Sequence, residues 1–455
     1  MQSKREKLLK GNITKLLFKF SAPAIIGMIV GALYNVVDTI FVGRGVGSLA
    51  IAALSIVLPI QLIMMAIGIM VGVGAASIIS RALGGGEKDI AIRTVGNGII
   101  LSFIFNAAII IAGYIFIEEI LIFFGASSEV LPYALDYTSI ILLGLVFFSF
   151  SISSNNFIRA EGNPRAAMYS MTIGAVANII LDPVLIFGFN MGIKGAAIAT
   201  IISQALTTIY IICYFMYGHS IFRLKLSMFR IKLNIIKEIL KLGFPSFLRQ
   251  GAASIIILIS NRVLAYYGTD LYIAIMGVGL RLLSLIQMPI IGITQGFSTI
   301  VGFNYGAKLF SRVKKTLMTA ILWSVIIAGF GFIIMMLFPA QVIGIFTNDP
   351  EFIAKGIFPL RVVIIFLPLV GIQVLGGGLF QAIGKAKPAL IITISRQILF
   401  LIPAVLILPI FLGVNGVWLS VPVADFMSLV ITGIWLYKEV GSFTKMEVNQ
   451  ARARI

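Results

Sequence analysis

One cysteine, Cys213, and one histidine, His219, are present in 455 residues. The lone cysteine excludes an internal disulfide and any Cys-based metal cluster. The lone imidazole lies in a basic linker, which leaves no material for a Ser-His nucleophile pair or a His-rich metal site inside apolar segments. No Gly-x-x-x-x-Gly-Lys-Ser/Thr run occurs, so energy for any transport must come from an ion gradient or a partner subunit. Charge is scarce too. Only 11% of residues are charged against 59% hydrophobic, and a mean hydropathy of +1.07 lies outside the range of soluble domains. The polar, basic segment Met1 to Lys10 precedes an apolar run too long for a signal peptide, so no cleavable leader is expected.

The chain does have long apolar runs, of about twenty residues or more, which predict helices rather than the ten-residue alternating segments of a membrane barrel. Twelve such runs follow one another between charged or Gly/Pro-rich breaks. The formal charge of +18 is distributed over alternate loops: Arg81 and Lys88 follow the second run, Arg159 and Arg165 the fourth, Lys308, Arg312 and Lys314 the eighth. The loops between carry acids instead, among them Glu118, Glu129, Asp270 and Asp349. This asymmetry predicts a multi-pass protein of the cell inner (plasma) membrane with both termini cytoplasmic. Because the positive charge forms no single patch, nucleic acid is not an expected partner.

A basic, amphipathic stretch, 218-235, divides the runs six and six, and is expected to lie on the cytoplasmic surface. The expected organisation is therefore an N-terminal six-helix bundle over 1-217, this linker, a C-terminal six-helix bundle over 236-437 and a cytoplasmic tail over 438-455. The halves echo each other. Leu17 through Pro23 matches Leu240 through Pro245, Gly162 falls opposite Gly384, and Gly192-Ile193-Lys194-Gly195 opposite Gly413-Val414-Asn415-Gly416, all at offsets of 221 to 224 residues. A constant offset is a register. With six spans per repeat, both halves enter the membrane in the same sense, so the fold class is an all-α polytopic membrane protein whose two bundles are related by a pseudo-twofold along the membrane normal.

Within the fifth run, Asp182 is the only charge from Met168 to Phe189. An acid there costs about 2.5–3.5 kcal/mol at the centre of a membrane helix and needs a functional reason or a partner. Asn178 precedes it by four residues, on the same helical face, and Pro183 cannot donate to the carbonyl of Ile179. The competing account is a kinked helix with a structural Asp. Asp182 lies nine residues before the turn at Met191 and Thr200 nine after it, so both sit roughly 13 Å from that end. Asp38 stands eight residues before the outer turn at Val46, with Tyr34 and Asn35 on or near its face. No Lys or Arg lies inside the membrane in this half, so a proton or a hard cation such as Na⁺ must neutralise the acids.

The second half reverses the sign. Arg249, Arg281 and Arg396 lie well within runs, and Asp425 is the one deep acid. This charge cluster is expected to pair internally, the arginines with Asp425, or else to line a cavity and touch substrate or lipid headgroup. Met64 and Met288 are expected to pack, or to line an adaptable pocket.

Asp38, the run Arg159-Ala160-Glu161-Gly162-Asn163-Pro164, Asn178-Ile179-Ile180-Leu181-Asp182-Pro183, Gly195-Ala196-Ala197-x-Ala199-Thr200 and Met288-Pro289-x-x-Gly292-x-x-Gln295-Gly296 together resemble the multidrug and toxic compound extrusion (MATE) family over essentially the whole chain. The resemblance implies a twelve-helix exporter, not an enzyme, that moves organic cations and amphiphilic drugs by Na⁺ or H⁺ antiport with alternating access, and needs no cofactor beyond the coupling ion. It places the ion site at Asp38, Asn178, Asp182 and Thr200, with Na⁺ as a candidate occupant, and Asn155 near the substrate path. Tyr34, Asn35, Met64, Met288 and Gln295 are further candidates for support or for that path. Branches that couple through the C-terminal bundle use acids in the seventh and tenth spans; this chain has none there, which points to the N-terminal bundle. Two readings compete: a flippase of lipid-linked oligosaccharide or lipid from the same superfamily, favoured by the arginines, and an intramembrane aspartyl enzyme built on Asp38 and Asp182. Membrane lipid is an expected partner, and the expected state is a monomer.

Overall fold

The computed structural model describes residues 2–218, 220–223 and 225–452, so His219 and Arg454 of the basic segments lie outside the described residues. The first half holds α1 (Gln2–Lys10), α2 (Ile13–Gly45), α3 (Ser48–Gly85), α4 (Lys88–Ile115), α5 (Ile117–Phe123), α6 (Leu131–Ala160), α7 (Pro164–Pro183) and α8 (Gly192–Tyr217). The second holds α9 (Leu233–Tyr267), α10 (Asp270–Gly306), α11 (Phe310–Leu337), α12 (Pro339–Gly344), α13 (Pro350–Val363), α14 (Leu367–Ala382), α15 (Ala386–Ile394), α16 (Ile402–Leu412) and α17 (Val414–Arg452). π-helical turns extend α7 over Val184–Gly188 and join α15 to α16 over Ser395–Leu401.

Among the described residues, eleven helical stretches are long and apolar enough to cross a membrane, and α13 with α14, bent by 46°, makes a twelfth span. The bend follows from sequence. Pro368 falls in the first turn of α14, where it has no N–H to carry the preceding helix onward. Pro23, Pro59, Pro245, Pro289 and Pro422 instead sit inside continuous helices, as membrane segments tolerate. The architecture is all-α, with six spans in each half.

Packing divides the chain into two units, and the division does not fall at the linker. One unit comprises 2–6 with Ala22–Phe247, the other Lys7–Ser21 with 248–452. The first long helix of each half thus changes membership part-way, at Ser21/Ala22 in α2 and at Phe247/Leu248 in α9, each within three residues of a proline, Pro23 or Pro245.

In the first unit α6 packs on α3, α4 and α8, and α7 on α8. The linker is docked rather than merely laid on a surface. Phe222 and Met228 are buried, Ser220 Oγ and the Ile221 N–H donate to the buried carboxylate of Glu161 at 2.9 and 3.0 Å, and Tyr214 donates to its other oxygen. Asn97 takes the far end: its Nδ2 donates to Arg230 O at 3.1 Å and its Oδ1 accepts from Lys232 N at 2.8 Å.

In the second unit α10, α11 and α14 pack together, and α16 packs on α17. Asn304 secures the N-terminal segment: it donates to Leu8 O and accepts from Arg312 Nε at 2.9 Å, while Arg312 Nη2 donates to Gly11 O at 2.7 Å. The expected tail is helical and anchored. Glu439 pairs with Lys385 at 2.7 Å, and Phe443 stacks on Phe310 with ring centroids 6.0 Å apart.

The internal register has a physical cause. Gly162 and Gly384 adopt φ of +94° and +84°, and Gly192 and Gly413 φ of +55° and +56°, a region costly for any side chain. A Cβ at Gly195 would stand 3.0 Å from the backbone of Leu185, and one at Gly416 2.4 Å from that of Leu408. In both halves the last span therefore starts against bare backbone of the span before it.

Candidate functional site

The acid pair of the first unit stands on α2, which carries Asp38, and α7, which carries Asp182. Asp182 is fully buried and Asn178, one turn earlier, is 2% exposed. Asn178 Nδ2 donates to Asp182 Oδ1 at 3.1 Å, which the four-residue spacing on one helical face allows. α7 passes through Pro183 and continues as the π turn Val184–Gly188. Helix geometry therefore changes directly after the acid, a feature frequent at functional positions.

Asp38, on α2, turns its carboxyl to that of Asp182 closely enough for the two to share a hydrogen bond. Without a shared proton neither carboxylate can donate. Asp38 Oδ1, Asp182 Oδ2 and Asn178 Oδ1 are consequently buried oxygens with no partner among the described residues. Three acceptors around one place, with no basic side chain bonded to them, call for a proton or a hard cation. The described residues assemble no group of three His, Cys, Asp or Glu side chains; the unpartnered oxygens here belong to two carboxylates and one amide.

Two groups that the sequence did not single out stand at this site. Tyr137 of α6, 3% exposed, lies within electrostatic range of Asp38, Asp182 and Tyr34, and its hydroxyl accepts from Gln61 Nε2 of α3 at 3.4 Å. A tyrosine in an apolar helix gives little signal of its neighbours. Depth counting from the outer loop, applied to α6 as it was to α7 and α8, was the available route.

The other candidates divide. Tyr34 is half-buried beside both acids, whereas Asn35 is exposed and its Nδ2 donates to Gly31 O at 2.9 Å on its own helix. Thr200 is half-buried on α8, the helix that packs along α7. Asn155 commits its amide to joining α6 to α7, through Ala167 O at 2.6 Å and Ser170 Oγ at 2.8 Å. Met64 is buried against Leu142 and Leu145, and Met288 and Gln295 are half-buried on α10.

In the second unit one of the three arginines meets the acid. Arg396 Nε donates to Asp425 Oδ1, and Gln373 Nε2 donates to Asp425 O at 2.7 Å. Arg249 and Arg281 lie on accessible faces of α9 and α10.

Comparison with known proteins gives the family and the fold. The MatE family profile matches residues 23–184 and again 245–406, the second match starting 222 residues after the first. The multidrug export protein MepA of Staphylococcus saprophyticus is 31% identical over 420 residues, 91% of this chain and 92% of its own. The MATE multidrug transporter DinF-BH, solved in complex with a ligand, superimposes with a TM-score of 0.88 at 42% identity, covering 94% of this chain and 96% of that one. A MOP superfamily transporter from Pyrococcus furiosus, described as having a binding pocket of reverse polarity that suggests a different function, gives a TM-score of 0.90 at 29% identity over 96% of this chain and 98% of that one.

Proposed function

The chain belongs to the MatE family of membrane transporters, and from that premise we propose that it is a secondary active exporter of organic cations and amphiphilic drugs, driven by Na⁺ or H⁺ entry through Asp38 and Asp182. The observation that carries the reading is the pair of facing carboxyls with orphaned oxygens. An ion entering from outside neutralises them, and a neutral pair no longer favours a bound cationic drug. Asn178 orients Asp182 and adds an amide oxygen for Na⁺. Tyr137, held by Gln61, supplies a nearby hydroxyl, and Thr200, half-buried on the α8 that packs along α7, is the fourth candidate.

Linkage fixes the sign. If protons or Na⁺ weaken drug binding, drug weakens theirs by the same factor, so affinity for a cationic drug rises with pH and falls with added Na⁺. The family is one of transporters, so the acid pair is read as a coupling site, not as a proteolytic dyad. Lipid-headgroup flipping is the second reading, favoured by Arg249 and Arg281 on accessible faces of membrane helices.

The test is transport in proteoliposomes with Na⁺ and pH gradients imposed separately. Uptake of an organic cation driven by either gradient, and lost in Asp182→Asn, is the expected result. Headgroup flipping without gradient-driven drug movement would replace this reading with the second.

A further inference from the structure

The second unit contains a cavity of about 320 Å³ among α9, α10, α13, the π turn Ser395–Leu401 and α17, within the size range of small-molecule sites. Most of its wall is aliphatic. Six polar side chains interrupt it, Ser260, Ser284, Gln287, Arg396, Gln397 and Trp418, of which Arg396 carries the charge.

Three of these, Arg396, Gln397 and Trp418, are left incomplete. Arg396 spends its Nε on Asp425, yet its side chain retains 27% exposure against 3% for the acid. Asp425 does not line the cavity, and among the described residues neither does any other carboxylate. A ligand there meets the guanidinium and not its counter-charge. Trp418 is 2% exposed, and its Nε1 is a buried donor with no partner among the described residues. Gln397 Oε1 is likewise buried and unpartnered, so that amide can turn over and present its NH₂.

The repeat shows how the place arose. Ser260 lies 222 residues after Asp38, Pro359 222 after Tyr137, and Val421 221 after Thr200, and all three line this cavity. Positions that are acidic or hydroxylic in the first half are small or apolar in the second. The remaining charge is positive.

We propose that this cavity binds an amphiphile whose apolar body fills the aliphatic walls and whose carboxylate is held by Arg396 and by the Nε1–H of Trp418, with the Gln397 amide as a third donor. Charge-assisted bonds from a guanidinium suit a carboxylate, whereas a cation would face Arg396 with no acid in the wall. A fatty acid from the bilayer and a dissolved aryl carboxylate carry the same recognisable chemistry. The site is independent of the coupling pair and stands or falls without it.

The experiment uses the full chain in phosphatidylcholine nanodiscs, titrated with dansyl-undecanoic acid, its methyl ester and a dansyl alkylamine of equal length. The acid should bind at least roughly tenfold tighter than the ester or the amine. Gly279→Phe should abolish binding of all three: Gly279 lines the cavity and a Cβ there meets nothing within 4 Å, so the ring occupies the space without disturbing the helix. Trp418→Phe keeps the ring and removes the donor, and should cost acid affinity while sparing the ester. Arg396→Met combined with Asp425→Leu removes the ion pair as a unit and should erase the preference for acid. Equal binding of acid and ester, tighter binding of the amine, or unchanged affinity in Gly279→Phe overturns the proposal. Stoichiometric fatty acid extracted from the purified protein and displaced by the probe assigns the bilayer as the source. Its absence, with competition by 1-naphthoic acid, assigns a dissolved carboxylate.

Discussion

Arg396 and Asp425 form an ion pair inside the second unit, with the acid 3% exposed and its own carbonyl held by Gln373. The pair is local to α17 and the π turn Ser395–Leu401, and no acid of the first unit is needed to balance it. Removing one partner strands the other in low dielectric. Asp425→Asn should therefore cost about 3 kcal/mol of stability, the lower part of the usual range because Arg396 keeps some exposure. The measurement is thermal unfolding of the purified variant beside transport. A variant that melts like wild type but cannot transport would move Asp425 from the scaffold to the mechanism.

The matched glycines give a second expectation. A Cβ at Gly416 meets the Leu408 carbonyl carbon at 2.4 Å and Pro409 N at 2.5 Å, while at Gly195 the nearest backbone atoms are 3.0 Å away. Backbone cannot turn aside as a side chain can. Gly416→Ala should destabilise by at least about 1–3 kcal/mol, and Gly195→Ala by less. Comparing melting temperatures of the two variants decides it, and equal effects would mean that the α16–α17 contact yields more easily than its geometry implies.

Loop charge predicts the orientation of the whole chain. After Cys213, which is exposed, is replaced, single cysteines at Ser127, between α5 and α6, and at Thr347, between α12 and α13, should react with an impermeant thiol reagent applied outside intact cells. One at Ser311, in the first turn of α11, should not. Labelling of Ser311→Cys alone would invert the topology.

Some of this was legible in the sequence because it depends on local geometry. The repeat could be read from glycines that positive φ and backbone contact impose on Gly192, Gly413, Gly195 and Gly416. Asn178 and Asp182 were readable because four residues return a helix to the same face. Asp38 was readable because depth can be counted from a turn. What was not legible depends on partners distant in sequence. Nothing in the linker distinguished an interfacial amphipathic stretch from one whose Phe222 and Met228 are buried and whose backbone is held by Glu161 and Asn97. Nothing in α2 or α9 marked Ser21 or Phe247 as the residue at which packing changes unit. Tyr137 and Trp418 looked like ordinary membrane aromatics; only their surroundings show that one stands near acids and that the other's Nε1 has no partner among the described residues.

The last prediction separates the two coupling ions. A proton needs only the carboxyls of Asp38 and Asp182, since one of them, once protonated, donates to the other. Na⁺ needs several oxygens at once, and Asn178 Oδ1 is the third orphaned one in the same place. Asn178→Ala should thus weaken Na⁺-driven transport more than H⁺-driven transport, by roughly tenfold for loss of one ligand of the ion. Asp182→Asn should abolish both, because it removes the charge that either ion neutralises. Drug affinity measured against pH and Na⁺ supplies the check: in wild type it rises with pH, in Asn178→Ala the pH response survives while the Na⁺ response fades, and in Asp182→Asn both flatten. Should Asp38→Asn or Asp182→Asn keep full gradient-driven transport with unchanged responses, that acid is part of the scaffold, and the coupling ion must be sought elsewhere in the chain.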